Sequence, residues 1–356
     1  MRKLAKEHGI DGFFISSEPN MRYLTGYSSQ AFERLIGVIV PVNGEEPVLI
    51  VPELEVEKAM NLSSFKGIRS YSDAESPAGL LGEVLGELKL VRGVLGIEGF
   101  LPFRYYEILK KVAPASEIHE VSDVFRKLRC IKLKGEIDLM KRAAKMVTKG
   151  IKAGIETVKV GISELSVAFE IEREIKESGG ESVPFCTVLS GKNSALPHGS
   201  TSNRKIGRGD AVVMDIGATF NGYYADMTRT VFVGEASQDQ RKVYDAVLRA
   251  QKSALGSVRP RVKTCDVDAI ARRIIAEAGY GKFFTHRTGH GLGLEVHEDP
   301  YISQGDKTTL EPGMTFTVEP GIYSPSGSGV RIEDDVAVTE KGRIVLSRLS
   351  KDLLIL

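Results

Sequence analysis

Residues 211–230 read AVVMDIGATFNGYYADMTRT and predict two paired β-strands joined by Asn221-Gly222. An Asn-Gly dipeptide between two apolar runs is a strong signal for a two-residue hairpin loop. With that loop, Gly217 lies opposite Asp226, and Asp215 shares the same face because side chains alternate along a strand. The two carboxylates are then diagonal neighbours, with about 7–8 Å between their Cα atoms. We interpret them as a pair that can hold a metal ion, because the apolar residues around Asp215 mark a buried strand.

A cluster of histidines follows in residues 285–298, THRTGHGLGLEVHE. It contains His286, His290 and His297, which are three of the six histidines in the chain. The glycines between them remove side-chain bulk where a backbone and a ligand must approach each other closely. The cluster therefore predicts a binding or catalytic site.

Two acidic motifs complete the candidate site. Residues 314–323, MTFTVEPGIY, predict a strand that carries Glu319 into a Pro-Gly turn. Residues 329–336, GVRIEDDV, predict one further strand. Arg331 and Glu333 are two residues apart in it, so we expect their side chains to point the same way and the arginine to lie beside the carboxylate.

Five residues of these motifs are candidate metal ligands: Asp215, Asp226, His290, Glu319 and Glu333. Four ionised carboxylates share a cleft only if protons or cations compensate their charge, because like charges raise each other's pKa. Two divalent ions would supply that compensation. An oxygen-rich set with a single nitrogen suits Mn²⁺, Co²⁺, Fe²⁺ or catalytic Zn²⁺ better than a structural zinc site, and it leaves the choice among these ions open.

In this order, the five motifs resemble the ligand signature of the prolidase and aminopeptidase P group of metallopeptidases. That group shares the pita-bread fold with methionine aminopeptidase. The resemblance covers the C-terminal two thirds of the chain. It implies that Asp215 binds one ion, that Asp226 and Glu333 bridge two ions, and that His290 and Glu319 complete the second.

The resemblance also implies catalytic roles. Glu319 would take the proton of the attacking water and return it, as a general base does. His198, in the loop ALPHGS, would contact the substrate, and His297 would stabilise the tetrahedral intermediate. His286 matches another histidine of the cleft, and Arg331 matches an arginine that orients the site and binds substrate or the bridging carboxylate. A solvated or purely packing role remains the alternative for the histidines outside the ligand set.

The resemblance implies a peptide substrate with proline in the second position, and two activities remain open. Prolidase cuts only dipeptides and must bind the C-terminal carboxylate of proline, whereas aminopeptidase P accepts longer peptides. Some microbial prolidases use an arginine directly after the H-E-x-P element, which is residues 297–300 here, and Tyr301 follows it. We therefore slightly favour an aminopeptidase, although Arg331 or a residue of another subunit would also supply the cation. Phe185 either lines a proline pocket or packs in the core; because an aromatic side chain on an apolar strand is more often in the core, we leave it out of the candidate site.

The chain is predicted to have two domains, 1–121 and 122–356. Strand and helix patterns alternate in the first, which predicts a small α/β domain for scaffolding, dimerisation and site closure. The second is predicted to be an α+β pita-bread domain of two similar halves, each with two helices and a sheet. Its predicted helices cover residues 135–157, 164–178, 238–258 and 265–278.

Composition excludes several other classes of protein. The 48 basic and 47 acidic residues give no global attraction to nucleic acid or to an anionic membrane. The longest apolar run, residues 35–42, is too short to span a bilayer, which takes about 20 residues. Cys130, Cys186 and Cys265 lie far apart, so we expect no disulfide framework and a reducing, cytoplasmic location.

Two alternative functions concern relatives of the same fold. A non-catalytic peptide-binding pita-bread module, or a creatinase-like enzyme that works without metal, would have substitutions at the ligand positions. All five positions here carry competent ligands. The resemblance to the two-domain peptidases further implies a homodimer.

Overall fold

The computed structural model describes residues 2–29, 32–324 and 328–356. The chain divides into two compact units, the first ending at Leu128 and the second beginning at Arg129. In the described part of the chain, no helix combines the length and the apolar character that crossing a membrane requires.

The N-terminal unit is built on one mixed sheet of six strands. In chain order these are β1 (Gly12–Ile15), β2 (Gly37–Pro41), β3 (Val48–Pro52), β4 (Gly67–Tyr71), β5 (Val94–Ile97) and β6 (Glu117–Glu120). Their order across the sheet is β4-β3-β2-β1-β5-β6. The helices are α1 (Arg2–Glu7), α2 (Glu18–Thr25), α3 (Val56–Leu62), α4 (Pro77–Glu87), α5 (Phe103–Val112) and α6 (Ser122–Cys130).

Both faces of this sheet are covered by apolar side chains. Phe13 and Phe14 of β1 belong to two different buried clusters, because successive side chains of a strand point to opposite faces. This arrangement confirms the predicted α/β class of the unit. The predicted boundary after residue 121 lies before α6, whereas Val124 and Phe125 of that helix are buried in the N-terminal core.

The C-terminal unit has two halves, each with a pair of helices. The pairs are α7 (Lys134–Thr157) with α8 (Glu164–Glu177), and α9 (Gln238–Ser257) with α10 (Thr264–Glu277). The first pair packs in one apolar cluster with a three-stranded antiparallel sheet of β7 (Ser182–Ser190), β8 (Ala211–Phe220) and β9 (Tyr223–Phe232). The second pair packs in another cluster around the remaining strands. The predicted pita-bread architecture of two helix-plus-sheet halves is confirmed.

Seven shorter strands complete the C-terminal unit. They are β10 (Gly289–Gly291), β11 (Glu298–Ile302), β12 (Thr315–Val318), β13 (Gly321–Ser324), β14 (Ser328–Arg331), β15 (Asp334–Thr339) and β16 (Gly342–Val345). Five of them form a sheet in the order β11-β10-β12-β15-β16, and β13 pairs with β14.

The β8–β9 hairpin has the register that the sequence predicts. Phe220 pairs with Tyr223, and Gly217 pairs with Asp226. Asn221 and Gly222 form the loop with φ angles of 47° and 78°. Positive φ at both loop positions matches the right-handed twist of the strands and explains the Asn-Gly dipeptide.

The predicted single strand over residues 329–336 is wrong. Arg331 ends β14, which pairs with β13, whereas Asp334 begins β15, which pairs with β12 and β16. Glu333 lies in the connection between the two strands. The chain changes from one sheet to another here, so the pairing of β14 with β13 positions Arg331, whereas the backbone N–H of Glu333 donates to the carbonyl oxygen of Thr228 in β9.

Candidate active site

One cavity of about 370 Å³ in the C-terminal unit is lined by every residue that the sequence analysis assigned to the site. These residues are His198, Asp215, Asp226, His286, His290, His297, Glu319, Arg331 and Glu333. They come from five separate segments of the chain. These are the loop of His198, the β8–β9 hairpin, the histidine segment, the connection after β12, and the end of β14 with the connection that follows it.

At the base of the cavity, Asp226, His290 and Glu333 each direct one ligand atom into a space less than 5 Å across. These three atoms lie within 4.8 Å of one another. The Nε2 atom of His290 is also 3.3 Å from Oε1 of Glu319 and 3.9 Å from Oδ2 of Asp226. Oδ1 of Asp226 and Oε1 of Glu333 are buried and have no hydrogen-bond partner among the described residues. Buried carboxylate oxygens without partners are costly, so this group is suited to a cation.

The protonation behaviour of the acids reflects the same crowding. Burial raises the pKa values of Asp226 and Glu333 well above the ordinary range, and the neighbouring carboxylates raise them further. Burial also raises the pKa of Glu319 to about 7, with Arg331 acting in the opposite direction. Without a cation, the cluster therefore retains protons that ordinary carboxyl groups would release.

The tautomer of His290 also fits a cation. Its Nδ1 is 3.1 Å from the carbonyl oxygen of Gly291, which can only accept, so Nδ1 carries the proton. Burial lowers the pKa of His290 to about 3, which keeps the ring neutral. The lone pair of Nε2 therefore faces the oxygens of Asp226 and Glu319. Such an arrangement is repulsive unless a carboxyl proton or a metal ion lies between these atoms, and a neutral ring with a free Nε2 is typical of a metal-binding histidine.

Asp215 differs from the other candidate ligands because it forms a direct ion pair with Arg331. Arg331 also donates from Nε to Oγ1 of Thr228 at 3.0 Å and from Nη1 to the hydroxyl of Tyr323 at 2.8 Å. Thr228 in turn donates to Oε2 of Glu333 at 2.6 Å. The arginine was expected beside Glu333, but its ion pair is with Asp215 and it reaches Glu333 through the threonine hydroxyl.

Tyr323 is a site residue that the sequence analysis missed. Its hydroxyl accepts from Arg331 and lies 2.9 Å from Nε2 of His286. Nδ1 of His286 is 2.7 Å from the carbonyl oxygen of Arg287, so Nδ1 is the donor and Nε2 accepts from the tyrosine. Burial lowers the pKa of His286 to about 4. The sequence gives no local signal for this contact, because Tyr323 is positioned by the pairing of β13 with β14, after the chain has left the sheet of β12.

His198 and His297 are the two exposed histidines of the cavity. His198 lies in the loop before β8, and the ring of His297 packs edge-on against His290 with 4.2 Å between ring centroids. Both rings are accessible to a bound molecule, in contrast to His286, whose two nitrogens are already hydrogen-bonded.

The omission of Phe185 from the candidate site was wrong. Phe185 pairs with Gly217 across β7 and β8, is only partly buried, and lines the cavity with Pro197 and Val296. A Cβ atom at Gly217 would lie 2.2 Å from Cε1 of Phe185. Glycine is therefore required at this position so that the ring can lie flat against the strand next to Asp226.

Residues 138–340 match the protein-family model described as Metallopeptidase family M24. Residues 1–131 match the model described as Creatinase/Prolidase N-terminal domain. The chain belongs to metallopeptidase family M24. The first match covers more than half of the chain, and it includes all nine predicted site residues. The match to a metallopeptidase family agrees with the metal-dependent peptidase that the motifs predict.

Individual relatives agree with this assignment. A Xaa-Pro dipeptidase of Pyrococcus horikoshii is 40% identical, and the match covers 98% of this chain and 95% of the relative. The solved prolidase from Pyrococcus furiosus is 39% identical, with a TM-score of 0.89 and coverage of 98% and 100%. A solved X-Pro aminopeptidase from Thermotoga maritima is 31% identical, with a TM-score of 0.90 and coverage of 99% and 98%. The slight preference for an aminopeptidase is not supported, because the more similar of these relatives are named as dipeptidases.

In the M24 chain, we expect Tyr323→Phe to lower peptidase activity at least about 10-fold and the free energy of unfolding by about 1–3 kcal/mol. The substitution removes the hydroxyl that joins Arg331 to His286. Tyr244→Phe is a matched control, because its buried hydroxyl bonds to the carbonyl oxygens of Lys351 and Asp352, which do not line the cavity, whereas the Tyr323 hydroxyl bonds to Arg331 and His286, which do. Full activity of Tyr323→Phe in steady-state assays would show that the hydroxyl does not position the site.

Metal binding should stabilise the protein more at pH 8 than at pH 6.5. The buried carboxyl groups have higher pKa values in the metal-free fold than in the unfolded chain. Their protonation contributes stability that is fully present at pH values below the unfolded pKa, and for Glu319 this contribution is lost as the pH rises through about 7. The lowered pKa values of the histidines change the stability of the fold only below about pH 6.5, so the range from pH 6.5 to pH 8 avoids this contribution. The measurement is the unfolding temperature with and without Mn²⁺. An increment that is equal at both pH values would contradict the protonation of the cluster.

Proposed function

We propose that this chain is a metal-dependent Xaa-Pro dipeptidase, a prolidase that hydrolyses the bond before a C-terminal proline. The observation that carries the proposal is the buried group of Asp226, His290 and Glu333, whose ligand atoms converge within 4.8 Å next to a cavity open to small molecules. The names of the relatives that are about 40% identical support the substrate class.

We propose that Asp215, Asp226, His290, Glu319 and Glu333 hold two divalent ions, with Mn²⁺, Co²⁺, Fe²⁺ and Zn²⁺ as the candidates. The unpartnered oxygens of Asp226 and Glu333 and the lone pair of His290 support this assignment. Bound ions of this kind supply Lewis acidity to the scissile carbonyl and to the attacking water. Asp215 joins the set through its carboxylate, which Arg331 holds in place.

The protein's own groups then move the protons. Glu319 takes a proton from the attacking water and returns it to the proline nitrogen as the C–N bond breaks, so the reaction needs no further acid. His198 and His297 are exposed to the cavity and are placed to contact the substrate and the negative charge that develops on the carbonyl oxygen. His286 acts indirectly, because both of its ring nitrogens are engaged.

The shape of the cavity suits a proline-containing dipeptide. Proline has a fixed φ and, within a peptide, no backbone N–H. The site must therefore provide space for the proline ring, and it needs no acceptor for a backbone N–H of that residue. Phe185, Pro197 and Val296 provide an apolar lining for that ring. A volume of about 370 Å³ lies at the small end of the range for ligand sites, which favours a short peptide over a long one.

Aminopeptidase P activity is the second candidate. Tyr301 favours it, because this position carries no arginine that would bind the carboxylate of a dipeptide.

The homodimer that the family resemblance implies stays a prediction, as does the cytoplasmic location.

Metal-stripped protein should cleave neither Leu-Pro nor Leu-Pro-Gly, and added Mn²⁺ or Co²⁺ should restore cleavage. We expect kcat/KM for Leu-Pro to exceed that for the tripeptide by at least about 10-fold, because only the dipeptide places a carboxylate next to the reacting bond. Leu-Ala serves as the substrate control, and His290→Ala as the inactive variant.

Equal cleavage of both peptides would replace the dipeptidase with an aminopeptidase. No cleavage of either peptide, with bound metal demonstrated by elemental analysis, would overturn the peptidase proposal and favour a non-catalytic binding module.

A further inference from the structure

Only two cationic side chains line the cavity within the described part of the chain, Arg287 and Arg331. Arg331 is 6% exposed, and its guanidinium is shared among Asp215, Thr228 and Tyr323. Binding a substrate carboxylate would require it to break the ion pair that holds Asp215. Arg331 is therefore a positioning residue, and it does not supply the cation that a dipeptidase needs.

Arg287 has the opposite character. It is half-buried, it lines both this cavity and the open pocket beside Tyr301, and none of the described carboxylates forms an ion pair with it. Its guanidinium carbon lies 4.3 Å from the centroid of the Tyr301 ring. Stacking on an aromatic ring restrains a guanidinium and leaves both its charge and its N–H groups available to a ligand.

The position of the stacked pair connects it to the reacting bond. Tyr301 lies directly opposite His290 in the register of β10 and β11, so the two residues share a face of the sheet. Arg287 lines the same cavity as His290 and His297, so its positive charge faces the space where a substrate would lie. Arg287 directly follows His286, and only Thr288 separates it from β10, the strand that carries His290.

We propose that Arg287, held against Tyr301, binds the C-terminal carboxylate of the dipeptide substrate and so determines the preference for dipeptides. This inference rests on the proposed Xaa-Pro peptidase function. The carboxyl carbon of a C-terminal proline is two bonds from the scissile nitrogen, so its partner must stand at the edge of the reaction centre. A guanidinium forms two parallel hydrogen bonds with a carboxylate, and a further residue on the peptide replaces that carboxylate with a neutral amide.

The position after the H-E-x-P element then has a different role in this chain. Tyr301 does not bind the carboxylate itself; its ring orients the arginine that does. The absence of arginine at residue 301 is in this way compatible with a dipeptidase.

The test compares Leu-Pro with Leu-Pro-NH₂ on the Mn²⁺-loaded enzyme and on the variants Arg287→Gln and Arg287→Lys. The wild type should prefer Leu-Pro by about 10- to 100-fold in kcat/KM. Arg287→Gln should raise KM for Leu-Pro by a similar factor and leave the kinetics of the amide unchanged, and Arg287→Lys should retain part of the preference. Lys307→Gln is the matched control, because it removes an exposed cation from the neighbouring pocket only.

Inhibition by free proline and by prolinamide gives a readout that does not require turnover. Proline should inhibit the wild type more strongly than prolinamide does, and this difference should disappear in Arg287→Gln. An unchanged preference for Leu-Pro in Arg287→Gln would overturn the assignment of Arg287 and leave the peptidase intact. Equal cleavage of acid and amide by the wild type would also overturn it, whereas a wild type that cleaves neither would overturn the proposed function as well.

Discussion

The cost of removing charged carboxylates from water is the constraint on which the C-terminal unit depends. Arg331 compensates one of the four acids, Asp215, and the Thr228 hydroxyl satisfies one oxygen of Glu333. Oδ1 of Asp226 and Oε1 of Glu333 are buried and have no hydrogen-bond partner in the described part of the chain. Either protons or cations must supply the missing compensation, and the unprotonated nitrogen of His290 favours cations because it is itself a ligand.

The fold fixes the histidine segment of the site through polar side chains of α10. Asp268 of α10 is fully buried and accepts hydrogen bonds from the backbone N–H and the hydroxyl of Thr288, which precedes β10. Arg272, one helical turn later, pairs with Asp268 and donates to the carbonyl oxygen of His286 at 2.6 Å. The polar groups of one helix thus fix the backbone of the histidine segment, and the site needs no flexible loop to bring its ligands together.

Sequence patterns predicted those features of the fold and the site that depend on residues close together in the chain. The hairpin register could be derived because two adjacent loop residues with positive φ fix every pair along β8 and β9. The five candidate ligands could be named because few residue types bind hard cations, and the structure brings them to one cavity; that they hold two ions stays a prediction. The ion pair between Arg331 and Asp215, the hydroxyl of Tyr323 and the exposure of Phe185 depend on how separate strands meet, which one segment of sequence does not specify. The edge strands β4 and β6 carry few buried apolar side chains, so a pattern of apolar residues does not reveal them.

The most direct test of this account is anomalous diffraction from crystals grown with Mn²⁺ and measured at the manganese absorption edge. The account predicts one strong peak among Asp226, His290, Glu319 and Glu333, and a second peak that contacts Asp215. Crystals with no anomalous peak in the cavity at saturating Mn²⁺ would show that protons alone compensate the buried carboxylates, and would contradict the central claim.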